Sequence, residues 1–146
     1  MIQWTRNNSL SSTNCFAYVD IYDEMTATTY NPLIVLTSQS TNKTKYVIPA
    51  TDLTNKERYV KLTTTISKTT DTGQFGIITL GNADFPYGFY DVVIYQNNSA
   101  LNLDPANAIK VIYKTIMNLK AVNNDAIIYT EYTDTITSPT YITNTI

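Results

Sequence analysis

The stretch GFYDVVIY, residues 88–95, decides how the rest of the chain is read. Gly88 opens it, and from Tyr90 onward Val92 and Ile94 fall on one face while Asp91, Val93 and Tyr95 fall on the other with Phe89. This is the two-residue period of a β-strand with one face turned to a core. It sits in a chain with 12 tyrosines and no histidine.

Similar signals recur on either side. In CFAYVDIYD (15–23), Cys15, Ala17, Val19 and Ile21 share one face, and Phe16, Tyr18, Asp20 and Tyr22 the other. PLIVLT (32–37) is a short apolar run opened by proline, as expected of a buried strand, and TKYVIP (44–49) follows it across a polar loop. In RYVKLTTTIS, Val60, Leu62 and Ile66 alternate with Tyr59, Lys61, Thr63 and Thr65. QFGIITL, YGFYDVVIYQ, AIKVIYKTIMNL and AIIYTEYT complete a series of strands bounded by Asn, Gly or Pro. GQFG (73–76) reads as the opening of a strand or a bulge. Two one-turn helices are expected, at TNKE (54–57) with its Thr-x-x-Glu capping pattern and at DPANA (104–108) with Asp before Pro.

This spacing predicts an all-β fold, a single antiparallel β-sandwich. In immunoglobulin-like sandwiches a Tyr near the start of a late strand turns back to hydrogen-bond the chain just upstream. Residues 84–93, DFPYGFYDVV, carry that pattern, with Pro86 and Gly88 in the bend and Tyr90 two positions before Val92. Antibody domains hold a disulfide cysteine at the Val92 position, so the expected topology is a disulfide-free immunoglobulin-like one, with a jelly roll as the alternative. Tyr90, Gly88 and Val92 are the expected structural corner. Residues 1–137 read as the sandwich, and 138–146 as a last strand or an arm contacting a neighbour.

Composition narrows the function classes. The 146 residues are 43% hydrophobic and 15% charged, which suits one globular core rather than a disordered chain. The polar complement is 25 Thr and 15 Asn, one favouring strands and the other turns. Net charge is −2 with scattered Lys and Arg, so no clustered basic face for nucleic acid is expected. No apolar run approaches the roughly 20 residues of a membrane helix, and MIQWTRNNSL does not read as a signal peptide. One cysteine, Cys15, forms no internal disulfide and fits assembly in a reducing cytoplasm. The Asn-X-Ser/Thr triplets at Asn7, Asn42 and Asn97 carry no information in a chain this rich in Thr and Ser.

Chemistry has little to work with. Without histidine there is neither the usual general base nor the commonest metal ligand. Four glycines make no phosphate loop, and DEMTATTYN and DLTNKE lack the alternate acids of a calcium loop. No catalytic, cofactor-binding or metal-binding residue is therefore expected. The remaining enzymatic option is a carboxylate pair drawn from Asp20, Asp91 and Glu131, which requires two of them within about 10 Å; the alternative is that each lies on a solvent face or pairs with a lysine such as Lys61, Lys110 or Lys114. Tyr18, Tyr22, Tyr90, Tyr95, Tyr113, Tyr129 and Tyr132 raise a sugar-binding option, since rings stack on sugars. About half the rings are expected in the core and about a third at an interface. Phe89, Tyr95, Tyr129, Tyr132 and Tyr141 are the candidate interface residues. Trp4 is expected to anchor the first strand.

The segments NKERYVKLTTTI, GIITL, YGFYDVVIYQNNSALNLDP and IIYTEY, taken in order, resemble the small all-β accessory virion proteins of tailed bacteriophages, including those of crAss-like and marine phages. The resemblance spans residues 54 to 132. It departs after NLDP, where a Gly-rich strand is expected and AIKVIYKTIMNL holds no glycine. The resemblance implies a non-enzymatic capsid auxiliary or decoration protein, present in multiple copies on the major capsid protein or other virion proteins, without cofactor, nucleic acid or membrane. It would be assembled in the host cytoplasm and located in the virion. A carbohydrate- or receptor-binding module, or a head-tail or tail component, is the alternative.

Overall fold

The computed structural model describes residues 1–7, 9–21, 31–52, 59–97 and 99–122. Its strands are β1 (Ile2–Arg6), β2 (Ser12–Val19), β3 (Leu33–Ser38), β4 (Thr44–Val47), β5 (Ala50–Asp52), β6 (Val60–Ser67), β7 (Ile77–Ile78), β8 (Gly88–Gln96) and β9 (Lys110–Ala121). They form two packed sheets, one in the order β1-β9-β8-β3-β4 and the other β2-β6-β5 with β7 also on β6. The all-β sandwich follows directly from the alternation in the chain. Trp4, Ala17, Val19, Leu36, Leu62, Ile66, Val92, Ile94, Met117 and Leu119 are among the residues that meet between the sheets. Their strand neighbours point outward, as the two-residue period requires.

Two pairings within the sandwich are parallel rather than antiparallel. β1 runs parallel to β9, with Ile2 opposite Met117 and Arg6 opposite Ala121, and β7 runs parallel to β6. A hairpin forces antiparallel pairing, but the first and last described strands are joined by no hairpin and are free to lie side by side in either sense.

QFGIITL is also not one strand. Gly73, Phe75 and Gly76 all have positive φ, 72°, 60° and 73°, which makes residues 73–76 a tight turn rather than strand and leaves a two-residue ladder at β7. The second expected turn is present at Pro105–Asn107, where the Asp104 carboxylate accepts from the Ala106 N–H at 3.0 Å. TNKE, AIIYTEYT, Tyr22 and residues 138–146 lie outside the described residues.

Trp4 anchors β1: its ring is buried, and its indole N–H donates to the Phe16 carbonyl at 3.2 Å, tying the edge of one sheet to the other. Among the described tyrosines, Tyr90 alone is fully buried and Tyr87 and Tyr113 pack against the core; the others face outward. Aliphatic side chains therefore fill the interior more than the tyrosine count implied.

Candidate functional site

β8 is the central organiser of the five-stranded sheet, paired with β3 on one side and β9 on the other. Its first residues make the corner. Gly88 has φ 134°, a conformation side-chain-bearing residues rarely adopt, and its strand opening aims the Tyr90 ring inward. The Tyr90 hydroxyl donates to the Pro86 carbonyl at 2.7 Å, four residues upstream. Val92 and Ile94 continue the buried face. Burial raises the Tyr90 phenol well above its ordinary value of 10.0, so the hydroxyl stays a donor.

The loop before the corner is held from two directions. Gly81 and Asn82 N–H groups donate to the Phe85 carbonyl, and the Asn82 side chain accepts from the N–H groups of Asp84 and Phe85. From the β3–β4 hairpin, Lys43 reaches the Asp84 carboxylate at 2.7 Å and Thr41 donates to the Asp84 carbonyl at 2.8 Å. Lys45 lies 4.3 Å from the centre of the Phe85 ring. The corner is thus a braced structural feature.

The opposite face of β8 is the outer surface of the five-stranded sheet, and the ladder registers define it in rows. One row runs Lys114, Val93, Val35, Tyr46; the next runs Ile116, Asp91, Thr37, Thr44; Asn118 stands beside Phe89 at one end. Phe89 is 49% exposed, Ile116 42% and Tyr46 37%, with Val35, Val93 and Tyr95 half-buried among them. Asp91 is held by the Gln39 amide at 2.9 Å. The face mixes apolar and aromatic side chains with Asp91, Thr37, Thr44, Lys114 and Asn118. Of the candidate interface residues, Phe89 and Tyr95 lie on this face, whereas Tyr129, Tyr132 and Tyr141 fall outside the described residues.

The outer surface of the second sheet carries a smaller cluster. Tyr18 and Tyr59 meet edge to face with centres 5.4 Å apart, and the Lys61 ammonium lies 4.3 Å over the Phe16 ring. Asn14 and Thr65 hydrogen-bond at 2.9 Å beside them. Phe16 is a member that the sequence reading placed on the outer face without assigning it a role. A separate open recess of about 370 Å³ is lined by Asn31, Ile48, Pro49, Ala50, Thr51, Phe75 and Ala100, none of them ionisable.

The carboxylate option finds no support in the placement of its members. Asp91 lies on the outer face of one sheet and Asp20 is exposed just beyond the end of β2 in the other, so the two do not face a common site; Glu131 lies outside the described residues. Compared with known proteins, the chain matches no family model, no curated protein and no solved structure.

Proposed function

We propose that this chain is a non-enzymatic structural protein of a phage virion, a capsid auxiliary or decoration protein with an immunoglobulin-like sandwich, docking through the outer face of its five-stranded sheet. The observation that carries the reading is that face: Phe89, Ile116, Tyr46, Val93, Val35 and Tyr95 on adjacent rows. Exposed apolar and aromatic side chains gathered on one sheet face, here interspersed with Asp91, Thr37, Thr44 and Lys114, support an interaction surface. Tyrosine and phenylalanine are side chains that protein interfaces favour.

The topology supports the immunoglobulin-like part. The strand orders β2-β6-β5 and β9-β8-β3-β4 are similar to the B-E-D and G-F-C-C′ orders of that fold, which supports the reading. The Tyr90 bond to Pro86 corresponds to the corner of that fold. Many symmetry-related copies on a shell would multiply a modest affinity per site. The test is peptide mass spectrometry of purified particles, with the protein expected at high copy number; intact particles that lack it sink the reading.

The Phe16, Tyr18, Tyr59 and Lys61 cluster favours a second reading, a saccharide-binding module that stacks sugar rings on the second sheet. A glycan array at high protein concentration that stays blank removes it.

A further inference from the structure

Arg6 ends β1 with its side chain turned inward and only 9% exposed. Its Nη1 group donates to the Leu80 carbonyl at 2.8 Å and to the Gly81 carbonyl at 3.1 Å, beside the loop that leads into β8. Carbonyl oxygens solvate a guanidinium without neutralising it. The acids of the neighbouring loops are committed elsewhere, Asp84 to Lys43 and Asp71 to Lys45. Among the described residues no carboxylate meets Arg6. A buried positive charge is costly until an anion joins it.

A guanidinium presents its donors as a fixed fork, and the edge formed by Nε–H and Nη2–H takes a carboxylate through two parallel bonds. The Leu80 and Gly81 carbonyls meet Nη1 and leave that edge unused. Among the described side chains, the fully buried atoms without a partner are the hydroxyls of Thr51, Thr64 and Tyr87, so the Arg6 edge keeps an outlet to solvent. The Tyr87 hydroxyl stands beside the same group. A Cβ at Gly81 would lie 2.5 Å from Arg6 Nη1 and 3.1 Å from the Tyr87 hydroxyl, and its absence lets both crowd one strip of backbone. A charged fork and a phenol thus stand together, each short of an acceptor. One monoanion with two oxygens supplies the missing charge and the missing acceptors. A side chain this enclosed admits the tip of a small or flexible group rather than a bulky ligand.

We propose that Arg6 and Tyr87 form a carboxylate-binding site, with the Nε–Nη2 edge of Arg6 as the two-bond anchor and the Tyr87 hydroxyl as a further donor. The site is separate from the outer face of the five-stranded sheet and independent of the virion reading. NMR on the full chain follows the Arg6 Nε–H and the Gly81 amide during titration with sodium acetate, against sodium chloride at equal ionic strength. Acetate is expected to move both signals saturably and chloride to leave them in place. Arg6→Lys keeps the charge but not the fork, and at the Gly81 amide it is expected to bind acetate about 10-fold or more weaker. Tyr87→Phe keeps the fork and is expected to lose about 5-fold, the worth of one hydrogen bond. An unmoved Val92 amide shows that each variant is folded, and Tyr87→Phe carries the test alone if Arg6→Lys is not. A blocked peptide with one glutamate, with its glutamine twin as blank, runs beside acetate. Tighter binding of the glutamate peptide assigns the carboxylate to a partner protein's side chain, and equal binding assigns it to small acids. Equal responses to acetate and chloride overturn the site. So does an Nε–H that acetate leaves unmoved because the chain itself already holds it, and so does unchanged affinity in the folded variants.

Discussion

Tyr87 and Tyr90 stand three residues apart and have opposite energetic roles. Tyr90 is buried and its hydroxyl meets the Pro86 carbonyl, so Tyr90→Phe is expected to cost about 1–2 kcal/mol in urea unfolding, the worth of a bond whose acceptor is left dry. The Tyr87 hydroxyl is buried with no partner among the described residues, so Tyr87→Phe is expected to stabilise by about 1 kcal/mol in the same measurement. The role of Tyr90 was legible in the sequence because its spacing from Pro86 and Val92 is local. The orphan hydroxyl of Tyr87 was not, because it depends on the distant approach of Arg6 and Gly81. Alkaline pH adds a second residue-scale effect. Burial lifts the Cys15 thiol from 9.0 to about 11 against a smaller opposing pull from a backbone hydrogen bond with Thr5, and burial lifts Tyr90 as well. Both groups have folded values above their unfolded ones, so their contributions are complete below the unfolded values and are lost as pH rises through the folded ones. Stability is expected to fall from pH 9.0 upward, with about 3 kcal/mol from Cys15 gone beyond its folded value of about 11. Urea midpoints across that range check it, and Cys15→Ala should flatten the first part of the decline.

At the scale of elements, β2, β6 and β8 were readable because each alternates over eight or nine residues and each buries one face. β7 was not, because its boundary is set by three left-handed residues whose conformation answers to packing. A side chain at Gly73 would meet the Tyr46 carbonyl at 2.8 Å, and one at Gly76 the Thr63 carbonyl at 3.1 Å. Phe75 between them takes the same left-handed conformation without the excuse of being glycine, and its ring is 76% exposed. Asparagine tolerates that region better and the ring buries little. Phe75→Asn is therefore expected to raise stability by about 1 kcal/mol, measured by thermal or urea unfolding. An unchanged or lowered midpoint would mean that the ring contributes packing at the recess that offsets the strain. The parallel pairing of β1 with β9 was likewise hidden, since nothing local to either strand names a partner more than a hundred residues away.

For the whole molecule, the two outer faces make different demands. The five-stranded face could be drawn in part from the sequence, because Phe89 and Tyr95 share the odd positions of β8. Its breadth could not, since Ile116, Val35 and Tyr46 join it only through the registers of β9, β3 and β4. A docking role for this face makes a separable prediction. Phe89→Asp with Ile116→Asp places two charges where a partner would exclude water, at positions already exposed in the free chain. The double variant is expected to fold with its unfolding midpoint changed by no more than about 1 kcal/mol, yet to lose at least about 100-fold in particle association, the loss expected when hot-spot contacts are removed. Tyr18→Ala on the other sheet should leave association intact. Retention of the double variant on particles would move the docking surface off this face, and loss with Tyr18→Ala instead would move it to the second sheet.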